Sequence, residues 1–89
     1  MMAPRVHLNG TSGEALLDEN RKARDAVAVA FALLAHGGPN ARDYYVIGTD
    51  AFRQARDEHR DRLRQLRIVL DELDDVGMQI ADQLKGRTR

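Results

Sequence analysis

His7, His36 and His59, the single serine Ser12, and the acidic run Asp71, Glu72, Asp74 and Asp75 are the first side chains to weigh for catalysis or metal binding. A metal site in a helical protein needs histidine or carboxylate neighbours three or four residues away on an inward face. Around His59 those neighbours are Ala55, Arg56, Arg62 and Leu63, so no ligand set forms. His59 reads instead as a partly buried helix residue sharing a hydrogen bond with a nearby carboxylate. His7 belongs to an irregular arm, and His36 to the end of a helix, where a cation complements the dipole. A serine nucleophile needs a base and an oxyanion hole, whereas Ser12 sits where a helix starts. The acidic run lies on a solvated helix face, and Gly37-Gly38-Pro39 lacks the lysine and strand context of a phosphate loop. No catalytic, cofactor-binding or metal-binding residue is assigned, and the chain is not expected to be an enzyme.

Charge narrows the partners further. Fourteen basic residues balance fourteen acidic ones in a chain of 89. Six arginines, Arg53, Arg56, Arg60, Arg62, Arg64 and Arg67, crowd one stretch, but Asp57, Glu58 and Asp61 interleave with them. Pairs four apart, Glu58 to Arg62, Arg53 to Asp57 and Arg67 to Asp71, account for the pattern as a solvated helix face. Nucleic acid, which is held by an excess of Lys and Arg over acid, is disfavoured as a partner. Cysteine is absent, so neither disulfides nor thiolate metal sites support the fold. The longest apolar run, from Ala26 to Ala35, is about half a membrane span, and no signal core opens the chain. The expectation is a soluble protein that stays where it is made, with no membrane contact.

The elements that carry these side chains follow from periodicity. Phe52, Ala55, His59, Leu63, Leu66, Val69, Leu70, Leu73, Val76, Ile80 and Leu84 recur at steps that place them on one face of a helix. No proline interrupts them, so the spacing predicts a helix over 50–85, about 54 Å long. A first helix over 12–36 begins at Thr11-Ser12-Gly13-Glu14, which fits a capping box with Thr11 as the cap. Its inward face runs through Leu16, Ala23, Val27, Ala30, Phe31 and Leu34. Gly37 or Gly38 in a left-handed conformation, followed by Pro39, ends it. Residues 1–11 form an arm, 37–49 a connector and 86–89 a tail. Gly77 inside the second helix marks either a close helix crossing or fraying of the last turns. The fold class is therefore all-α, an antiparallel two-helix hairpin.

A chain this short buries only about 60% of its unfolded surface, so self-association is the expected support. If the connector is tight, position 36 lies beside position 50 and Ser12 beside Asp74. The end of helix two then overhangs with Val76, Met78, Ile80 and Leu84 uncovered, to be sheltered by Val6 and Leu8 of the arm or by a second subunit. The segment from Ala26 to Ala35, apolar all round, adds a further contact surface. Arginines before Ile68 and acids after it favour an antiparallel pairing. The expectation is a homodimeric four-helix bundle joined through Val29, Leu33, Val69, Leu73, Val76, Ile80 and Leu84.

Three segments carry a resemblance: His7-Leu8-Asn9-Gly10-Thr11-Ser12 leading to Leu16-Leu17, then Pro39-Asn40-Ala41-Arg42-Asp43-Tyr44-Tyr45, then Glu58-His59 with Arg62-Leu63 and Leu66. Together they resemble small helical proteins of tailed bacteriophages and prophages, in which a glycine usually follows the asparagine where Ala41 stands here. The resemblance spans most of 7–73 and implies a phage setting, in the cytoplasm of a bacterial host cell or in the virion, without an activity. The function expected is a protein–protein interaction module that self-associates and binds a viral or host protein. A structural head or tail component and a nucleic-acid packaging factor are the alternatives. Arg42, Asp43, Tyr44 and Tyr45 in the connector are the candidate contacts, unless the tyrosines only plug the bundle end.

Overall fold

The computed structural model describes residues 1–87 as two long helices lying side by side. Helix α1 spans Gly13–His36 and α2 spans Ala51–Arg87, with a short 3-10 turn over Ala41–Asp43 between them. Thr88 and Arg89 of the expected tail lie outside the described residues. Ser12 rather than Thr11 caps α1: its Oγ accepts the Ala15 N–H at 3.1 Å, so the cap falls one residue later than the capping-box pattern places it. Because Ser12 satisfies a backbone donor that α1 cannot satisfy itself, Ser12→Ala should lower stability by about 1 kcal/mol, read as a lower thermal midpoint in circular dichroism.

At its other end α1 closes with the Gly37 N–H donating to the Leu33 carbonyl at 3.0 Å. Gly37 has φ −96° and ψ 35°, and among the described residues no glycine has positive φ, so the expected left-handed cap is not used. Pro39 stops the helix instead, since it has no N–H to donate and restricts the residue before it. Helix α2 runs unbroken through Gly77 to Arg87, two residues beyond the expected boundary and without fraying at the glycine.

The register differs from the tight-loop expectation, and the difference matters. Three close approaches fix it: a Cβ built on Gly13 would meet Leu84, one on Gly77 would meet Asn20, and one on Gly38 would meet His59. Every step forward along α1 is thus a step back along α2, with His36 near position 61 rather than 50, and Gly13 beside Leu84 rather than near Asp74. The connector is not a tight turn; it climbs past the end of α1 and folds over the first turns of α2, where Tyr44 packs on Phe52 with ring centroids 6.4 Å apart. The part of α2 that outreaches α1 is therefore 51–60, at the connector end.

At the opposite end the expected overhang is covered within one chain. The Val6 N–H donates to Gln83 Oε1 at 2.7 Å, Gln83 Nε2 donates to the Pro4 carbonyl at 2.9 Å, and Gln79 Nε2 donates to the Met1 carbonyl at 3.3 Å. These bonds lay the arm along α2, and Ile80 at their level is only 1% exposed. Val6 is half-buried there, while Leu8 stands in solvent and covers nothing. The length mismatch thus gives no reason for a partner at Ile80 or Leu84. Only Leu70, at 5%, joins Ile80 among fully buried apolar side chains of the described residues. The hairpin is 63 Å long and 18 to 20 Å across, with a radius of gyration of 19.1 Å, where a compact chain of this length has about 12 Å.

Candidate functional site

The sides of the hairpin are chemically unlike. In α1 the residues aimed at α2 include Gly13, Asn20, Val27 and Phe31, and in α2 those aimed back include His59, Leu63, Leu70 and Gly77. A small rotation one way brings Arg24 to Asp74, whose Nε–Oδ1 distance is 2.8 Å. The same side carries Arg53, Arg56, Arg60, Arg64 and Arg67 at steps of three and four along α2. Carboxylates flank most of this ridge: Asp50 beside Arg53, Asp57 beside Arg56, Asp61 bonded to Arg64, and Asp71 3.3 Å from Arg67. These pairs are exposed and each contributes at most about 1 kcal/mol.

Two of the predicted helical pairs form, Glu58 with Arg62 at 3.9 Å and Arg67 with Asp71. Arg53 turns to Asp50 instead of Asp57, because Asp57 lies nearer its neighbour Arg56. On α1, the hydrogen bond from Lys22 to Asp18, followed by the charge of that carboxylate, raises the lysine pKa above its ordinary value. The bond from Arg24 to Asp74, and then the charge of Asp74, raise the arginine likewise. Both bases thus remain cations through any physiological range, as ion-pair partners rather than proton carriers.

His59 does not share a proton with a carboxylate. Its Nε2 is buried without a hydrogen-bond partner, close to where the chain passes at Gly38, and Arg56 Nε, 3.7 Å from Asp57 Oδ1, is likewise buried without a hydrogen bond. Among the described residues, no three of His, Cys, Asp or Glu come together to hold a metal ion.

The opposite side of the hairpin is apolar. Ala23, Ala26, Ala30 and Leu33 of α1 turn away from Arg24, and at the same levels Leu66, Val69, Leu73 and Val76 of α2 turn away from Asp74. Leu33 and Val69 lie on this side, and Val29 and Ile68 at its outer margins; the four are between 41% and 68% exposed. The apolar second half of α1 is therefore not buried on several sides in one hairpin. Of the residues expected to join subunits, Val29, Leu33 and Val69 are open, Leu73, Val76 and Leu84 are half-buried, and Ile80 is sealed within the chain.

At the connector tip, the structure separates residues that the sequence could not. Tyr44 turns inward to Phe52 and plugs the end. Tyr45, Val46 and Ile47 follow it outward, each between 71% and 74% exposed, and Arg42 and Asp43 stand beside them in the 3-10 turn. Val46 and Ile47 are not among the contacts expected from the sequence, because nothing in their spacing shows which way the connector turns them. The turn around them, closed by the Ile47 N–H to Tyr44 carbonyl bond at 3.0 Å, is what turns them out.

The fold and these surfaces define an antiparallel α-helical hairpin with two uncovered apolar regions, one along its side and one at its tip. Compared with protein families, curated proteins and solved structures, the chain matches none. No helix among the described residues is long and apolar enough to cross a membrane.

Proposed function

We propose that this chain is a non-enzymatic interaction module of a tailed phage that self-associates and offers its connector tip to a viral or host protein. The phage setting rests on the sequence resemblance. The interaction role rests on one observation: Tyr45, Val46 and Ile47 stand side by side in solvent at the end of a 63 Å rod. Contiguous large apolar side chains held out by an ordered turn mark interaction sites in small proteins. An aromatic ring next to Arg42 and Asp43 is a composition favoured at energetic centres of interfaces.

The test separates binding from folding. Tyr45→Ala, Val46→Ser and Ile47→Ser combined should leave helicity and the thermal midpoint unchanged, because these side chains cover nothing in the hairpin. Capture of its partner from infected cells, identified by mass spectrometry, should fall by at least about tenfold. Tyr44→Ala should do the reverse in part, lowering the midpoint by removing the plug on Phe52. Undiminished capture by the folded triple variant would overturn the tip as the contact.

A further inference from the structure

We infer that the apolar side of the hairpin is covered by a second copy of this chain, packed antiparallel about a two-fold axis at the level of Ile68. The inference rests on the reading of the chain as a self-associating module and names the surface and direction it uses. The surface is not the overhanging end that the length mismatch suggested, whereas the antiparallel direction is the one that the charges of α2 favour in the sequence.

Three observations converge on a second copy. The chain exposes 6925 Å², whereas a folded monomer of 10.0 kDa exposes about 5,200 Å², leaving an excess of about 1,700 Å². A standard specific interface removes about 800 Å² from each partner, so one such contact takes up half of the excess. The excess has a place, since the side carrying Ala23, Ala26, Ala30, Leu33, Val69 and Val76 is apolar along the second half of α1, and among the described residues only two apolar side chains are fully buried.

The second observation is charge. Between Ala51 and Arg67, α2 carries six arginines against Asp57, Glu58 and Asp61, an excess of three positive charges. Between Ile68 and Leu84 it carries Asp71, Glu72, Asp74, Asp75 and Asp82 with no basic residue, before Lys85 and Arg87 close the helix. Each rod is thus an electrostatic dipole. Parallel stacking opposes like ends, and antiparallel stacking opposes unlike ends; this selects direction more than it adds affinity.

The third observation is that the two centres lie within one helical turn of each other. The register places Ala30 and Phe31, the middle of the apolar stretch Ala26–Ala35, level with positions 67 and 66, next to Ile68, where the charge of α2 changes sign. A two-fold axis there satisfies both patterns at once, as a self-complementary contact requires. It sets Arg62 of one copy within a helical turn of the partner's Glu72. The alanines of α1 permit close approach of the two α1 helices, while Leu66, Val69, Leu73 and Val76 of the two copies interdigitate.

The absence of cysteine makes the test clean. The full chain should sediment as a dimer at about 10 µM, and Leu33→Asp with Val69→Asp should sediment as a monomer at the same concentration. A nitroxide on Gln54→Cys should give one intermolecular distance of about 45 Å in the antiparallel pair, against less than about 20 Å in a parallel one. The labelled protein retains its apolar side, so this distance reads the arrangement even if the aspartate variant unfolds. A monomer at 100 µM, a dimer indifferent to the two aspartates while still helical, or the short distance would each overturn the inference. The partner capture described for the tip is read separately, so either surface can fail without the other.

Discussion

Ile80→Ala should remove about 3 kcal/mol of stability, more than any other truncation to alanine in the hairpin. Ile80 is the least exposed large side chain among the described residues, and the arm that runs along α2 at its level is held by three hydrogen bonds from or to Gln79 and Gln83. Cutting the side chain to a methyl leaves a void that neither the helix nor the tethered arm can fill without breaking those bonds. At about 4–8 °C per kcal/mol for a chain of this size, the thermal midpoint should fall by at least about 12 °C. Leu8→Ser, in the same arm but in solvent, should change stability by less than about 0.5 kcal/mol.

The concentration dependence of the Ile80→Ala effect distinguishes two origins of burial. If Ile80 is sheltered by its own arm, the difference in midpoint between wild type and variant stays constant from 5 to 100 µM, scales chosen to bracket a micromolar dimer. A difference that widens with concentration would mean that a second chain buries Ile80, as the length-mismatch argument held. Measuring helicity at 222 nm over that range decides the matter. The open side residues should behave oppositely. Substituting Leu33 changes the association, and through it the midpoint, only where dimers form.

Much of the hairpin is legible in residue spacing, because a helix needs only local information. The stripe from Phe52 to Leu84 predicts α2, and its members are buried or half-buried, apart from Val69. Pro39 and the Thr11-Ser12 capping signal set the limits of α1 to within a residue, although the cap itself is Ser12. What spacing cannot supply is register, since the side-chain pattern of each helix repeats every turn and fits several offsets. The register depends on how much connector lies between the helices. Here the packing of Tyr44 on Phe52 draws the connector along the first turns of α2 and shifts the pairing by about three turns. That shift moved the overhang from Ile80 to the opposite end and changed the reason for expecting a dimer, from a greasy end to a greasy side. The apolar character of Ala26 to Ala35 was visible in sequence as a surplus without a cover. Its direction relative to Val69 became readable only once Arg24 was seen to reach Asp74.

Asn20 and Gly77 fix that register chemically, and their substitution should show a reversal of sign. Asn20 Nδ2 donates to the Leu73 carbonyl at 2.9 Å, deep in the helix contact, and a Cβ on Gly77 would lie 2.8 Å from that nitrogen. Glycine at 77 disfavours the helix by about 1 kcal/mol relative to alanine, so in an isolated helix Gly77→Ala stabilises. In this hairpin the added methyl displaces the amide and leaves a half-buried donor without its acceptor, a loss of about 1–3 kcal/mol that outweighs the gain. Gly77→Ala should therefore destabilise the wild type by about 1 kcal/mol. In an Asn20→Ala background, where the amide is gone, the same substitution should stabilise by about 1 kcal/mol. Gly77→Val adds two methyl groups beyond alanine's and the overpacking of a tight crossing, for a total of about 3 kcal/mol. Urea midpoints at constant slope give all three values. A stabilising Gly77→Ala in the wild-type background would show that the helices do not meet at Asn20, and with it the register that places Val29 level with Ile68 would fall.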